Sequence, residues 1–252
     1  MLRKIKRFIR KQLGINQIIE NQNQIKTTLD ALSRKEEEIL KASIFNNTIV
    51  DSAWLKYKSF SPGGWAVDYS FLYTLYRVLN DVLPKSILEF GLGQSSKLIH
   101  QYAGFYDDVN ALTCEHDIEW INFFKNSLNG EYNISIQEVE LEEILYKGVK
   151  TLTIKDINSI SNGKKYDLIV MDAPFGSSRY SRSQILDLVQ NNLSDRFCII
   201  IDDYERLGEQ ETAKELISVL DGKGIKYTST IYNGSKQHFL ICNEQLKFLI
   251  TM

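Results

Sequence analysis

Cysteines are few, long apolar runs are missing and charge is nearly balanced in this chain of 252 residues, and each lack removes a class of explanation. The three cysteines, Cys114, Cys198 and Cys242, lie in apolar runs, and their spacing suits neither a disulfide framework nor a zinc site. They read as small core residues in a reducing compartment, so the expected location is the cytoplasm. No uninterrupted apolar stretch reaches the roughly 18 residues of a membrane-spanning helix, and the N-terminus lacks the apolar core of a signal peptide. A net charge of -2 supplies no global basic field, which argues against nucleic acid as a partner. What remains is room for one α/β domain of about 190 residues and an appendage.

The appendage comes first. Residues 1–14 place Arg3, Lys4, Lys6, Arg7, Arg10 and Lys11 around Leu2, Ile5, Phe8, Ile9 and Leu13, a basic amphipathic segment. Such a segment can lie peripherally on the inner, anionic face of the membrane, or it can be a solvated terminus. Over residues 15–42 the pattern becomes a heptad: Ile18, Ile25, Leu32 and Ile39 recur every seven residues, with Ile15 and Leu29 in companion positions. That spacing predicts a coiled-coil helix and a homo-oligomer, weakened by Gln22 and Glu36 in the seam. A single helix packed on its own domain is the alternative. Residues 43–60 are expected as a linker and residues 61–252 as the catalytic domain.

Within that domain, strand-like segments at about 86–90, 111–115, 133–138, 167–172 and 197–202 alternate with helical ones, which predicts a parallel sheet covered on both faces. Two more, at 226–232 and 237–242, flank the turn Asn233-Gly234-Ser235-Lys236 and predict an antiparallel hairpin at the sheet edge. A mostly parallel seven-stranded sheet closed by a C-terminal hairpin is the Rossmann-like architecture of class I methyltransferases. Nicotinamide-binding folds continue the parallel winding instead.

The first strand ends in Glu89-Phe-Gly-Leu-Gly93, followed by Gln94, Ser95 and Ser96. The pattern Gly91-x-Gly93-x-x-Ser96 lacks the third glycine of a dinucleotide fingerprint. Glu89 would repel a pyrophosphate but suits a ligand with a cationic amino group, such as S-adenosylmethionine. Glu89, Gly91, Gly93 and Ser95 are therefore candidates for the methionine end, and Glu115, ending the second strand, for the ribose hydroxyls. His116 and Asp117 follow and could flank the adenine. Asp172 ends the fourth strand and Asp202 and Asp203 end the fifth, so acids terminate four of five parallel strands where such sheets bind ligands.

In their order and spacing, Glu89-Phe-Gly-Leu-Gly93, Glu115-His-Asp-Ile-Glu-Trp-Ile121, Met171-Asp-Ala-Pro-Phe-Gly176 with Arg182, Asp203-Tyr-Glu-Arg206 and His238-Phe239 resemble the glucuronoxylan 4-O-methyltransferase and irregular-xylem polysaccharide-biosynthesis family of plants, over about residues 84–242. The resemblance implies an S-adenosylmethionine-dependent O-methyltransferase acting on a sugar hydroxyl of a surface glycan or a nucleotide-sugar precursor. A different class stays open: a catalytically silent methyltransferase-fold partner that regulates a glycan enzyme through its coiled coil.

A neutral hydroxyl needs help to lose its proton. Asp172 is the first candidate for the base, with Asp203 beside it and His238 the best histidine. Asp172, Asp202 and Asp203 could alternatively bind a divalent cation (Mg, Mn or Co), a layout that resembles small catechol O-methyltransferases. Phe175 stands where that family carries a lysine three residues after the acid. Arg179 and Arg182 are candidates for an acidic sugar or phosphate, and Trp65 and Tyr69 for closing over cofactor or sugar. For each, helix capping or aromatic core packing is the competing reading.

Overall fold

The computed structural model describes Arg3, residues 14–128, Tyr132 and residues 134–252. The basic amphipathic segment expected over residues 1–14 falls, Arg3 and Gly14 apart, outside the described residues. No helix among the described residues is long and apolar enough to cross a membrane.

Helix α1 (Ile15–Thr48) is longer than the heptad pattern alone predicts. Residues 16–37 are exposed on every side, while Phe45 near its end is fully buried. Ile49, Trp54 and Leu55 follow it into the core. The linker expected over 43–60 is thus corrected in part: those side chains pack on the domain, and the backbone N–H groups of Lys56 and Tyr57 donate to Oε1 of Gln101 at 3.0 and 2.8 Å. Apolar burial and paired backbone groups hold this stretch in place.

The strands are β1 (Ser86–Phe90), β2 (Asn110–Glu115), β3 (Ile136–Glu138), β4 (Leu141–Tyr146), β5 (Val149–Ile154), β6 (Tyr166–Met171), β7 (Leu193–Ile201), β8 (Tyr227–Asn233) and β9 (Gln237–Asn243). Seven form one sheet in the order β3-β2-β1-β6-β7-β9-β8, parallel except where β9 runs against β7 and β8. This is the mostly parallel seven-stranded, Rossmann-like arrangement expected from the strand pattern, with its closing hairpin. Strands β4 and β5 form a separate antiparallel hairpin that the sequence reading passed over. Its residues bury only in part, so no clean apolar alternation marks it.

Along the central strands, alternate side chains enter opposite faces, as a period of two requires. Ile87, Leu168, Val170, Cys198, Ile200, Leu240 and Cys242 join the core beneath α2 (Tyr69–Arg77) and α3 (Gln94–Phe105). Leu88, Phe90, Ile169, Met171, Ile199 and Ile201 join the core on the other face, beneath α6 (Ile185–Asn191) and α7 (Leu207–Gly222). Among the described residues the remaining α-helices are α4 (Ile118–Ser127) and the short α5 (Ile157–Ser161). Register positions the site. Phe90 sits level with Cys114 and Met171, and Met171 with Ile201, so Gly91, Glu115, Asp172 and Asp202 all follow at one edge of the sheet.

Candidate functional site

After β1 the chain turns sharply at Gly91, whose φ of 99° lies in the region that glycine favours. A Cβ there would also come within 3.1–3.2 Å of Asp172 and Ala173, so glycine lets the ends of β1 and β6 approach. Gly93, by contrast, would place a Cβ in open space, which leaves backbone facing the cavity at the start of α3. Glu89 lies beneath this turn, fully buried. The hydroxyls of Ser96 and Thr113 donate to its Oε2 at 2.7 and 2.6 Å, and the Gly93 N–H donates to the Ser96 hydroxyl at 2.9 Å. Burial pushes its carboxyl up to about 7, although the Ser95, Thr113 and Ser96 hydroxyls pull the other way. Its place corrects the expected direct contact with a ligand: Glu89 and the buried Ser95 do not line the cavity, and Glu89 shapes the turn through Ser96.

Thr113 has one proton and gives it to Glu89, so the Nε2 of His100, 2.8 Å from the same hydroxyl, must be the donor there. Burial lowers His100 to about 4, which keeps it neutral. It is a buried core histidine.

Glu115 does line the cavity. Its Oε2 accepts from the Leu92 N–H at 2.9 Å, and its Oε1 from the N–H groups of His116 and Asp117 at 2.7 and 3.0 Å. The His116 Nδ1 is 2.8 Å from Oε1. An ionised carboxylate offers about four acceptor positions, so Oε2 retains one for a ligand hydroxyl. Asp117 caps α4 through the N–H groups of Glu119 and Trp120, and the Trp120 indole donates to the Leu92 carbonyl at 2.7 Å. The second strand's end and the glycine turn are therefore one hydrogen-bonded unit.

The third component is a charged cluster. Ligand oxygens of Asp172, Asp202 and Asp203 lie within 4.8 Å of one another. Arg182, 2% exposed, donates through Nη1 to the carbonyls of Met171 and Asp202 at 3.0 and 2.7 Å, and its Nη2 reaches Asp203 at 2.7 Å and Asp172 at 3.4 Å. Arg206 pairs with Asp203 at 2.8 Å. Lys236 Nζ stands 3.3 Å from Asp203 and 3.6 Å from Asp202. Burial and the Asp203 charge raise Asp172 to about 6, against the pull of Arg182 and Lys236. Burial and both neighbouring acids push Asp202 well above the usual carboxylate range. Burial also opposes ionisation of Asp203, yet Arg182, Lys236 and Arg206 together hold it below that range.

These components bound a cavity of about 530 Å³, lined by Gly91, Leu92, Gly93, Glu115, His116, Asp172, Arg182, Asp203 and Arg206, with Trp65, Val67, Ala173 and Phe175 as apolar wall. Trp65, 83% exposed, packs edge-on against Phe175 at 5.7 Å, and His116 against Phe175 at 5.9 Å. Trp65 is at the rim. Tyr69 is not: it packs near Phe45 at 6.0 Å. Arg179 pairs with Glu211 and does not line the cavity, whereas Arg182 borders it but commits its two terminal nitrogens to Met171, Asp202 and Asp203. His238 is buried, bonded through Nε2 to the Thr74 hydroxyl at 3.0 Å and lowered by burial to about 3. It does not line the cavity, which removes it as a base.

No protein-family model matches the chain, and no curated protein matches it. Among solved structures it is similar to an O-methyltransferase from Bacillus cereus in complex with SAH, with 12% identity, coverage of 83% of this chain and 91% of that one, and a TM-score of 0.49. A methyltransferase from Geobacter sulfurreducens gives 14%, 88%, 96% and 0.47. The SAH-bound Podospora anserina methyltransferase PaMTH1 gives 11%, 88%, 96% and 0.46. With likenesses this distant, function rests on the side chains of the site itself.

Proposed function

We propose that the chain is an S-adenosylmethionine-dependent O-methyltransferase whose acceptor is a carbohydrate hydroxyl. The observation that carries the reading is the joint placement of an open glycine turn, a carboxylate with a spare acceptor position and a carboxyl raised to about 6 around one cavity. Gly91 and Gly93 would admit the methionine end, Glu115 would hold the ribose and the His116–Phe175–Trp65 wall would cover the adenine side. When bound, the sulfonium supplies the methyl group. Asp172 does the chain's own chemistry: it accepts the hydroxyl proton as the new O–C bond forms and the S–C bond breaks. With a pKa near 6 it is largely ionised at pH 7 yet basic enough to take a proton. Holding acceptor and donor in line is the larger contribution.

The carbohydrate acceptor rests on the sequence resemblance and on Trp65, an exposed ring at the rim suited to stacking on a sugar face. Oligomerisation through α1 accords with the same reading, since the exposed seam is spaced for a second copy. Isothermal titration with S-adenosylmethionine and its demethylated product tests the core of it. Micromolar binding is expected, and the absence of binding by either would sink the enzyme reading.

A further inference from the structure

Lys236 is a residue that no motif marks, yet the fold goes to some length to place it. It ends the turn between β8 and β9. Its own N–H donates to Oδ2 of Asp68 at 2.9 Å, and the Ser235 hydroxyl reaches the same oxygen at 3.3 Å, while Oδ1 of Asp68 caps α2 at the Phe71 N–H. Gly234 allows this: a Cβ there would collide with Asp68 Oδ2 and come within 2.7 Å of Ser70. Glu38 of α1 adds a second clamp, accepting from the N–H groups of Tyr69 at 2.7 Å and Ser235 at 3.4 Å.

From this anchored turn the lysine side chain runs inward, 14% exposed, until Nζ lies between Asp202 and Asp203. Asp202 is 1% exposed, and neither of its carboxylate oxygens has a hydrogen-bond partner among the described residues. Among the described residues the ammonium, 3.6 Å away, is the one cation paired with this carboxylate, since the Arg182 guanidinium bonds to the Asp202 carbonyl instead. A divalent ion drawn to the same oxygens would stand within a few ångströms of that ammonium, where little water screens the repulsion. The distances among the three acids suit a metal, but the charges already present do not.

We propose that the Lys236 ammonium, delivered by the clamped β8–β9 turn, occupies the cation position bounded by Asp172, Asp202 and Asp203, so that the site works with a built-in organic cation in place of a divalent metal ion. Lys236 is then a positioning residue: it holds the two aspartates that follow β7 in charge balance beside Asp172. The proposal concerns the cluster itself and stands apart from the identity of the acceptor.

Manganese binding, read by electron paramagnetic resonance on the full chain, tests it without reference to activity. Wild type should bind no Mn²⁺ at micromolar to submillimolar concentration. Lys236→Met should gain a site at least tenfold tighter than any in wild type, and Asp202→Asn added to it should remove that site. Wild-type binding that Asp202→Asn abolishes would overturn the proposal, as would a folded Lys236→Met protein that binds no better. Should Lys236→Met fail to fold, lysine ¹⁵Nζ spectra of wild type decide the matter. The ammonium signal that disappears in Lys236→Arg is expected to stay unmoved by millimolar Mg²⁺, and its displacement would count against the built-in cation.

Discussion

The backbone N–H of Leu92 donates to Oε2 of Glu115 at 2.9 Å, which ties the glycine turn after β1 to the acid that ends β2. The turn proposed to admit the cofactor and the carboxylate proposed for its ribose are consequently set by the same bond. Glu115→Ala should weaken S-adenosylmethionine binding by roughly 1.5–3 kcal/mol, about 10- to 150-fold in Kd, as for hydrogen bonds to a charged group. Titration calorimetry reads this directly, and an unchanged Kd refutes the ribose role.

Asp172→Asn removes the proposed proton acceptor while keeping shape. Turnover should fall roughly 100- to 10,000-fold, the range for a lost general base, with cofactor Kd within a few-fold of wild type. In wild type, kcat should rise with pH through about 6 as this carboxyl ionises. A pH-independent kcat across that range, with Asp172→Asn still active, assigns the proton to another acceptor.

The sheet was legible because its strands are short apolar runs punctuated by glycine and acids, and register then brings Gly91, Glu115, Asp172 and Asp202 to one edge. What a side chain does at that edge was less legible. Arg182 and His238 look equally available in sequence, yet one is consumed by the carbonyls of Met171 and Asp202 and the other lies in the core against Thr74. In sequence, a lysine in an Asn-Gly-Ser-Lys turn reads as solvated. The Asp68 clamp, made across 168 positions of chain, is what turns Lys236 inward.

Burial holds Glu89 near 7, against an ordinary 4.5. A group with its pKa raised by folding contributes stability that is complete below about 4.5 and is lost as pH rises through about 7. His100 and His238, lowered to about 4 and about 3, act oppositely: their share is present above the ordinary 6.5 and lost as pH falls. Comparing wild type with Glu89→Gln cancels the histidines. Chemical denaturation should show wild type losing on the order of 3 kcal/mol relative to the variant between pH 4.5 and 7. A flat difference across that window means that Glu89 titrates normally.

Gly234→Ala tests the clamp on the β8–β9 turn. Its methyl group would overlap Asp68 and Ser70, and overpacking of this kind costs about 1–3 kcal/mol. Denaturant midpoints should fall accordingly, and manganese affinity should rise if Lys236 is drawn out of the cluster. An unaltered midpoint would show that the turn is free to shift away from Asp68.

Helix α1 poses the remaining question of what covers its seam. Ile18, Ile25, Leu32 and Ile39 are 52–69% exposed, on a stretch where residues 16–37 are covered by none of the other described residues. About 33 Å of unsupported helix is marginal in water, because tertiary packing supplies most helical stability. A second copy supplies that packing if the seams of two helices meet, so light scattering should find the full chain oligomeric. Removing residues 1–34 deletes most of the seam but spares Glu38 and Lys41, whose ammonium lies over the Tyr73 ring at 5.3 Å. That truncated protein should be a folded monomer with unchanged cofactor affinity. Removing residues 1–42 also takes the Glu38 bonds to Tyr69 and Ser235, so it should unfold at lower denaturant than the shorter deletion. An oligomer that survives the first deletion places the interface elsewhere on the domain, and equal stability of the two deletions shows that Glu38 does not secure the turn.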